Sequence, residues 1–404
     1  MILNIRQIKN FIHIARLNSI SRAAEELNRS QSAVSRSLQE LENQLGVSLF
    51  DRNVNGVMLT AFGKALLRRA EYIERVFQKA REVMMATEHG MRDLRENSSV
   101  FRMDVSSRRL ASFIAMAERH NVARAAAKVD TTTAAVRNTT RELESSLGVR
   151  LFERGATGLT PSIHGKILYK YVKLVSNELR QAVDEVASLQ GVKQGHVRVG
   201  TLAFSQTTIL PSAIIRLLKS YPDIEVSTVE GSYDSLIHEL HCGDIDFTLG
   251  ALRPPSVDDE LKQEALLEDD LSLIVKYDHE LLKRPAVSGH DLMQYGWVLP
   301  PEDAPSRHLF EKVMARMGLG PPRNVIETRS QIVMRSLLLE SDRISVLSRH
   351  QIYYEEKYGM LSVVPFQMAG TRRPIGVTFR AHSTLSPSAQ LLLDEIRHVT
   401  AEIK

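Results

Sequence analysis

The first half of the chain repeats itself, and that restricts the fold more than any other feature. Ile8, Phe11 and Ala15 return as Leu110, Phe113 and Ala117 at an offset of 102. Ala23-Ala24 return as Ala125-Ala126, Val34 as Val136, and Leu41-Glu42 as Leu143-Glu144. Leu45 through Arg52 reappear almost unchanged as Leu147-Gly148-Val149-Arg150-Leu151-Phe152-Glu153-Arg154. Leu59-Thr60 and Gly63-Lys64 come back as Leu159-Thr160 and Gly165-Lys166, with small length shifts around the segment between. A match this long is a tandem duplication, so two related domains must fold side by side.

Within the first copy, residues 30–45 show what kind of domain this is. At helical spacing Val34, Leu38, Leu41 and Leu45 share one face. The opposite face carries Gln31, Ser32, Ser35, Arg36 and Gln39, side chains suited to base edges and phosphates. Ser30 suits an N-cap and Gly46 a C-terminal stop. Upstream, residues 21–27 form a short helix with Ala23, Ala24 and Leu27 inward, and Asn28-Arg29 supply the turn. Cap, turn and stop agree on a helix-turn-helix, against the plainer reading of an amphipathic helix in any α-rich core. Residues 46–52 then read as a strand, residues 53–56 as the turn of a wing, and residues 57–59 as the return strand.

With these residues assembled, the chain resembles the LysR-type transcriptional regulators. The match is carried by Ser21 with Ala23-Ala24, by Ser30-Gln31-x-Ala33-Val34-Ser35-Arg36, and by Leu41-Glu42. It continues through Leu45-Gly46-Val47, Leu49-Phe50-x-Arg52 and Leu59-Thr60-x-x-Gly63. The resemblance implies binding to double-stranded promoter DNA, with Ser21, Ser30, Gln31, Ser32, Ser35, Arg36, Gln39 and Arg52 as the contacts. Ordinary members of that family have one such domain, so the second copy is a departure. There Thr132-Thr133-Ala134 replace Ser30-Gln31-Ser32, Arg137 and Asn138 replace Ser35 and Arg36, and Thr140 replaces Leu38. Gln31 can make two hydrogen bonds to an adenine edge, and Thr133 cannot. Arg150 and Arg154 remain able to hold phosphates. Phosphate contact and a purely architectural role both stay open for this copy.

Two long helices follow the two copies. Phe62, Leu66, Ile73, Phe77, Ala80 and Met84 lie along one stripe over residues 62–85, with Thr60 as cap. Ile167, Tyr171, Leu174, Ala182, Val186 and Leu189 lie near heptad spacing over residues 162–190. The resemblance makes the first a linker helix that pairs subunits of a homodimer or homotetramer, against a helix that simply closes its own domain, and the second is again a candidate seam. Residues 89–104 read as a polar connector, and residues 191–195 as a short hinge.

Charge separates the halves. Residues 1–195 hold 30 Lys and Arg against 20 Asp and Glu, a balance of +10, whereas residues 196–404 hold 22 against 28, a balance of −6. A polyanion is therefore expected to bind the first half only. Charged residues make up 25% and hydrophobic residues 43%, a composition that suits globular domains with cores. No apolar run of membrane-spanning length is present and the N-terminus lacks a signal-peptide pattern, so no membrane partner and a cytoplasmic location are expected. Cys242 is the only cysteine, which rules out an internal disulfide and reads as a packing residue rather than a sensor thiol.

From residue 196 short apolar strands alternate with helices, as in α/β layers. Strands are expected at 197–200, 225–229, 245–249, 271–276, 297–299, 325–327, 344–347 and 376–380. Helices are expected at 211–219, 232–241, 306–317 and 331–340. Tyr221-Pro222-Asp223, Gly243-Asp244-Ile245-Asp246-Phe247 and residues 337–342 resemble the effector domain of the same family, which has a two-lobed, periplasmic-binding-protein-like fold. The expected organisation is thus multidomain: winged helix-turn-helix 1–60, linker helix and connector 61–104, second winged domain 105–161, linker helix 162–194, and effector domain 195–404. Lobe I would be 195–276 with 371–404, and lobe II 277–370. Ligands of such sheets bind beyond the strand ends, near helix N-termini. Phe204, Ser205, Thr207, Ser232, Tyr233 and Thr328 are therefore the candidate contacts for a small effector, a sugar or an aromatic or organic acid. Residues 300–301 and 328–330 lead to the same crevice.

His238-Glu239-Leu240-His241-Cys242 lacks metal-ligand spacing, and no nucleophile-and-base set or phosphate loop occurs, so no metal, cofactor or catalytic residue is expected. The expected function is effector-controlled transcription regulation, with RNA polymerase as a further contact. A solute-binding protein for transport, or an enzyme using the α/β half, would explain the second half but not the first.

Overall fold

The computed structural model describes residues 3–53, 56–88, 90–155, 158–254 and 260–403, the side chains of residues 52, 53, 90 and 91 excepted. The chain forms two compact units. The first comprises residues 1–195 with 238–244 and 382–388, and the second the remainder.

In the first unit α1 (Ile5–Leu17), α2 (Ile20–Glu26) and α3 (Gln31–Leu45) precede a hairpin of β1 (Phe50–Asn53) and β2 (Gly56–Leu59), then the long α4 (Ala61–Met85). After a short α5 (Gly90–Asp93), the order recurs as α6 (Ser107–Arg119), α7 (Val122–Lys128), α8 (Thr133–Leu147), β3 (Phe152–Gly155), β4 (Gly158–Pro161) and α9 (Ile163–Leu189). Every equivalent element starts 102 residues later, and so do the local devices. Glu42 Oε1 accepts from the amide of Leu49 at 2.7 Å, and Glu144 Oε1 from that of Leu151 at 2.8 Å. Asn18 and Asn28 adopt positive φ, and His120 and Asp130 do the same.

The constant offset corrects the register read around the second wing. The counterpart of Thr60 is Ser162, not Thr160. Thr60 Oγ1 donates to Ser48 O and accepts from Gly63 N, while Ser162 Oγ donates to Arg150 O and accepts from Gly165 N. Gly63 and Gly165 are needed there, because a Cβ would stand 2.1 Å from Leu49 O and 2.0 Å from Leu151 O. The Leu-Thr pair recurs two residues early in the second copy, and the cap geometry, not that pair, marks the equivalent position. Residues 94–105 are likewise no mere polar connector, since Val100, Phe101, Met103 and Val105 are buried in the common core.

The two long helices pack on each other within the chain. Leu66, Ala70, Ile73, Phe77, Ala80 and Met84 of α4 are buried in one cluster with Leu168, Val172, Val175, Leu179, Ala182 and Val186 of α9. The first half of α4 lies on the second half of α9: Arg69 Nη1 donates to Glu178 Oε2 at 2.9 Å and to Gln181 Oε1 at 2.7 Å, and Arg69 Nε to Glu185 Oε2 at 2.7 Å. At the other end, Thr87 Oγ1 and His164 Nε2 are 2.8 Å apart. The pair is therefore antiparallel, and the apolar stripes of α4 and α9 are buried against each other. Arg69 is only 3% exposed. Burial works against its charge, yet the carboxylates of Glu178 and Glu185 outweigh that and hold the guanidinium above its ordinary value.

Cys242 is buried in this unit, where burial and then the Asp244 carboxylate push its thiol up to about 11. That suits the packing role and not a reactive thiol.

The second unit carries β5 (Gly195–Thr201), α10 (Ile209–Ser220), β6 (Ile224–Glu230), the first half of α11 (Tyr233–Cys242, whose residues from His238 on belong to the first unit), β7 (Phe247–Ala251), β8 (Leu261–Asp269) and β9 (Leu271–Lys276). These lead to α12 (Gly289–Leu292), β10 (Trp297–Leu299), α13 (Pro305–Arg316), β11 (Val325–Glu327), α14 (Gln331–Leu339) and β12 (Ile344–Ser348). Then come α15 (Tyr353–Lys357), β13 (Leu361–Val363), β14 (Arg373–Arg380) and α16 (Pro387–Ile403). One sheet has the order β6-β5-β7-β14-β8, the other β11-β10-β12-β9-β13. Both are mixed: β10 runs parallel to β11 and β12, whereas β9 and β14 pair antiparallel to their neighbours. β9 pairs with β12 and β13, so the first crossing between lobes falls at Asp270 and not after Lys276. Strand β8 escaped sequence reading because its alternate residues Lys262, Glu264 and Glu268 are polar, as befits an edge strand with one wet face. Trp297 is a core residue with no exposure, packed on Phe310 at 4.9 Å.

Candidate DNA interface and effector cavity

Helix α3 has the form expected of a reading helix. Ser30 caps it by accepting from Ala33 N at 3.2 Å, and Gly46 closes it in the left-handed region at φ 69°. Val34, Leu38, Leu41 and Leu45 are buried, so the helix has a single orientation. That leaves Gln31, Ser32, Arg36 and Gln39 exposed and Ser35 half-buried on the outer side. Ser21 is exposed on α2. Arg36 is 83% exposed and pairs with Glu40 at 3.0 Å, one turn along the helix. An exposed pair of this kind is worth about 0.3–0.5 kcal/mol, which a phosphate readily displaces. Arg52 belongs to β1, but its side chain lies outside the described residues, as do residues 54 and 55 of the wing turn.

Helix α8 keeps the scaffold and alters the outer face. Thr132 caps it through Ala135 N at 3.1 Å, and Val136, Leu143 and Leu147 are buried. Thr140, where α3 has Leu38, is half-buried and turns its hydroxyl back to Val136 O at 3.0 Å. Thr133, Arg137, Asn138, Arg150 and Arg154 are all exposed, and so is Arg141, which sequence reading passed over. None of these arginines forms an ion pair among the described residues. Four exposed guanidinium groups on one copy, none in an ion pair with a described residue, are of the type that can hold phosphates.

In the second unit a cavity of about 590 Å³ opens where β5, β6, β10 and β11 end. Phe204, Ser232, Tyr233 and Thr328 line it, as do Pro300 and Pro301. Ser205 and Thr207 do not. Ser205 is fully buried with its hydroxyl spent on Leu202 O and Leu249 O, at 2.9 and 3.1 Å. Thr207 donates to Gln351 O at 3.1 Å and borders an adjoining recess. A 3-10 turn over Ala203–Ser205 intervenes before α10, so alternate side chains rotate away from the crevice.

Three arginines line the cavity: Arg329, within the stretch 328–330 that the sequence pointed to, and Arg253 and Arg373, which sequence reading missed. Arg253 lies over the Tyr233 ring at 4.8 Å and forms no ion pair with a described residue. Arg329 Nη2 grips both oxygens of Asp303 at 2.7 Å. Arg373 is 9% exposed and held by the buried Asp269 at 3.2 Å. Burial pulls the Arg373 guanidinium below its ordinary value and lifts the Asp269 carboxyl above its own, while each partly restores the other. Arg373 remains a cation at any physiological pH. Leu202, Ile332, Met334 and Leu347 supply apolar wall. No group of three or more metal-ligating side chains occurs among the described residues, and no helix among them is long and apolar enough to cross a membrane.

A helix-turn-helix face followed by a two-sheet module with a charged crevice defines an effector-responsive DNA-binding protein. Residues 190–401 match the family profile described as LysR substrate binding domain, and residues 5–64 and again 107–166 match that of the bacterial regulatory helix-turn-helix protein, lysR family. The chain is 35% identical over 401 residues to the HTH-type transcriptional regulator GalR of Pseudomonas putida, covering 99% of this chain and 98% of that one. It is 30% identical over 300 residues to PcaQ of Agrobacterium fabrum, covering 74% of this chain and 96% of the relative. Among solved structures, CbnR complexed with its target DNA superposes with a TM-score of 0.54 at 19% identity, over 73% of this chain and 100% of that one. The chain belongs to the LysR family of transcription regulators.

Proposed function

We propose that the two repeats are tandem winged helix-turn-helix domains with unequal tasks, and that the effector is a small organic anion. The first reads promoter sequence through Gln31, Ser32, Ser35, Arg36 and Gln39, with Ser21, Ser30 and Arg52 as supporting contacts. The second grips backbone through Arg137, Arg150 and Arg154, with Thr133 and Asn138 adding little sequence preference. The effector sits in the crevice against Phe204, Ser232, Tyr233 and Thr328. As a regulator of chromosomal promoters it would work in the cytoplasm, alongside RNA polymerase.

The observation that supports the effector's charge is the convergence of Arg253, Arg329 and Arg373 on one cavity against Glu230 and Asp303. Two of these cations already have carboxylate partners, whereas Arg253 forms no ion pair with a described residue and stacks on an aromatic ring. A carboxylate seated there would gain charge-assisted hydrogen bonds, and its apolar body would meet Phe204 and Met334. Sugar hydroxyls would leave the arginine field unanswered.

The test is thermal unfolding of the full chain with a panel of small aromatic and aliphatic carboxylates and their neutral amides. Carboxylates should raise the melting temperature; at 100 times the dissociation constant the gain is about 2.7 kcal/mol. Arg253→Gln should remove that gain and leave the unliganded melting temperature nearly unchanged. Stabilisation by the amides and not the acids would refute the anion reading.

A further inference from the structure

The first unit has the internal geometry of a two-fold dimer made from one chain. Equivalent positions face each other: the amide of Ile5 donates to Ser107 Oγ at 3.1 Å, and these residues differ by the repeat offset of 102. A contact between equivalent positions is what a two-fold axis between the copies produces. Past its end, each long helix reaches the C-terminus of the other copy's recognition helix, through residues that are not themselves equivalent. Beyond α4, Arg95 N donates to Leu147 O at 2.8 Å at the C-terminus of α8. Beyond α9, Gln190 Nε2 reaches Gly46 O at 3.5 Å at the C-terminus of α3. Each long helix thus runs from its own copy to the recognition helix of the other, which is the pattern of an isologous interface.

We infer that one chain is a complete two-headed DNA clamp that covers two successive half-sites, one read for sequence and the other held without reading. This rests on the DNA-binding reading above and goes beyond it in stoichiometry and in the form of the target. Paired helix-turn-helix heads engage half-sites about one helical turn apart, and the symmetry of the site mirrors the symmetry of the protein. Here the scaffold is two-fold but the faces are not, with Gln31, Ser35 and Arg36 on α3 against Thr133, Arg137 and Asn138 on α8. The site for one chain is therefore lopsided rather than palindromic. The buried Arg69, with Glu178, Gln181 and Glu185, has no mirror-image set. Its equivalent is Tyr171, so α4 and α9 prefer each other over a second α4 or α9.

The pairing is tested with Arg68→Cys and Glu185→Cys, whose native side chains form an ion pair at 2.8 Å, in full-length protein carrying Cys242→Ala that keeps the parent's far-ultraviolet circular dichroism, because Glu185 also accepts from Arg69. A short bis-maleimide should yield a denatured product of single-chain mass carrying one linker. A product of doubled mass, or no cross-link in folded protein, would overturn the inference. On the unaltered chain, amide exchange in the middle of α4 and α9 should stay slow on dilution into the monomeric range, and loss of that protection would also overturn it.

The clamp is tested by selecting duplexes from a randomised pool with the full chain. The expected product has one informative half-site and, about one turn away, a base-tolerant half that is protected from hydroxyl radicals. Two equally informative halves within that turn would overturn the lopsided clamp. Failure to enrich any duplex would instead refute the DNA-binding reading itself, leaving the cross-link result to stand by itself.

Discussion

Gln31 and Thr133 occupy the same place on their helices, and the difference between them is chemical rather than conformational. Both helices are capped, closed by glycine and held by buried aliphatic residues, so an alanine at either position should leave the fold intact. Loss of a bidentate base contact costs about 1–3 kcal/mol of discrimination. Gln31→Ala and Arg36→Ala are therefore expected to relax preference for the selected duplex over scrambled DNA by roughly 5- to 100-fold. Thr133→Ala and Asn138→Ala should change that ratio less than about twofold. Competition binding at one salt concentration decides it, and equal losses from both copies would make the second a true reader. The exposed face of α3 was legible because short-range rules place it: a cap, a stop and a 3.6-residue period. The effector crevice was half legible for the opposite reason. Ser232 and Thr328 follow predicted strands and line it, but Ser205 is turned inward by a 3-10 turn that no spacing rule announces. Arg373 reaches the crevice from a strand returning more than a hundred residues later, so its place depends on sheet order alone.

Helices α4 and α9 show how far an apolar stripe carries as information. The stripes in residues 62–85 and 162–190 predicted long helices with one buried face, and both are present with nearly the expected ends. Periodicity gives the face but not its occupant; the polar exception on that face does. Arg69 is surrounded by Glu178, Gln181 and Glu185, all on the other helix, and such a set works only when both helices come together in one register. Removing one partner of a buried pair leaves an unmatched charge at a cost of about 3–5 kcal/mol. Arg69→Met should accordingly lower the stability of the first unit by that amount, read as a lower urea midpoint by far-ultraviolet circular dichroism. Adding Glu178→Gln and Glu185→Gln should restore most of it, since apolar or neutral replacements of buried ion pairs are often tolerated. A single variant as stable as the parent would mean that water already serves these carboxylates.

On the scale of the whole molecule, charge is partitioned with function: residues 1–195 carry a balance of +10 and residues 196–404 one of −6. The acidic half offers no attraction to a polyanion, so the salt dependence of DNA binding should report on the two heads alone. Each phosphate neutralised contributes about 0.9 to the slope of log affinity against log salt. If α8 and its wing sit on the backbone, Arg137, Arg141, Arg150 and Arg154 together supply up to four such contacts, none of them compromised by an ion pair with a described residue. Replacing all four by alanine in the full chain should flatten the slope by about 3–4 and weaken selected and scrambled duplexes alike. Gln31→Ala should do the reverse, leaving the slope and narrowing the gap between the two duplexes. These two signatures are independent because phosphate contacts release counterions and base contacts do not. An unchanged slope in the fourfold variant would place the second copy off the DNA and leave it as scaffold for α9 alone.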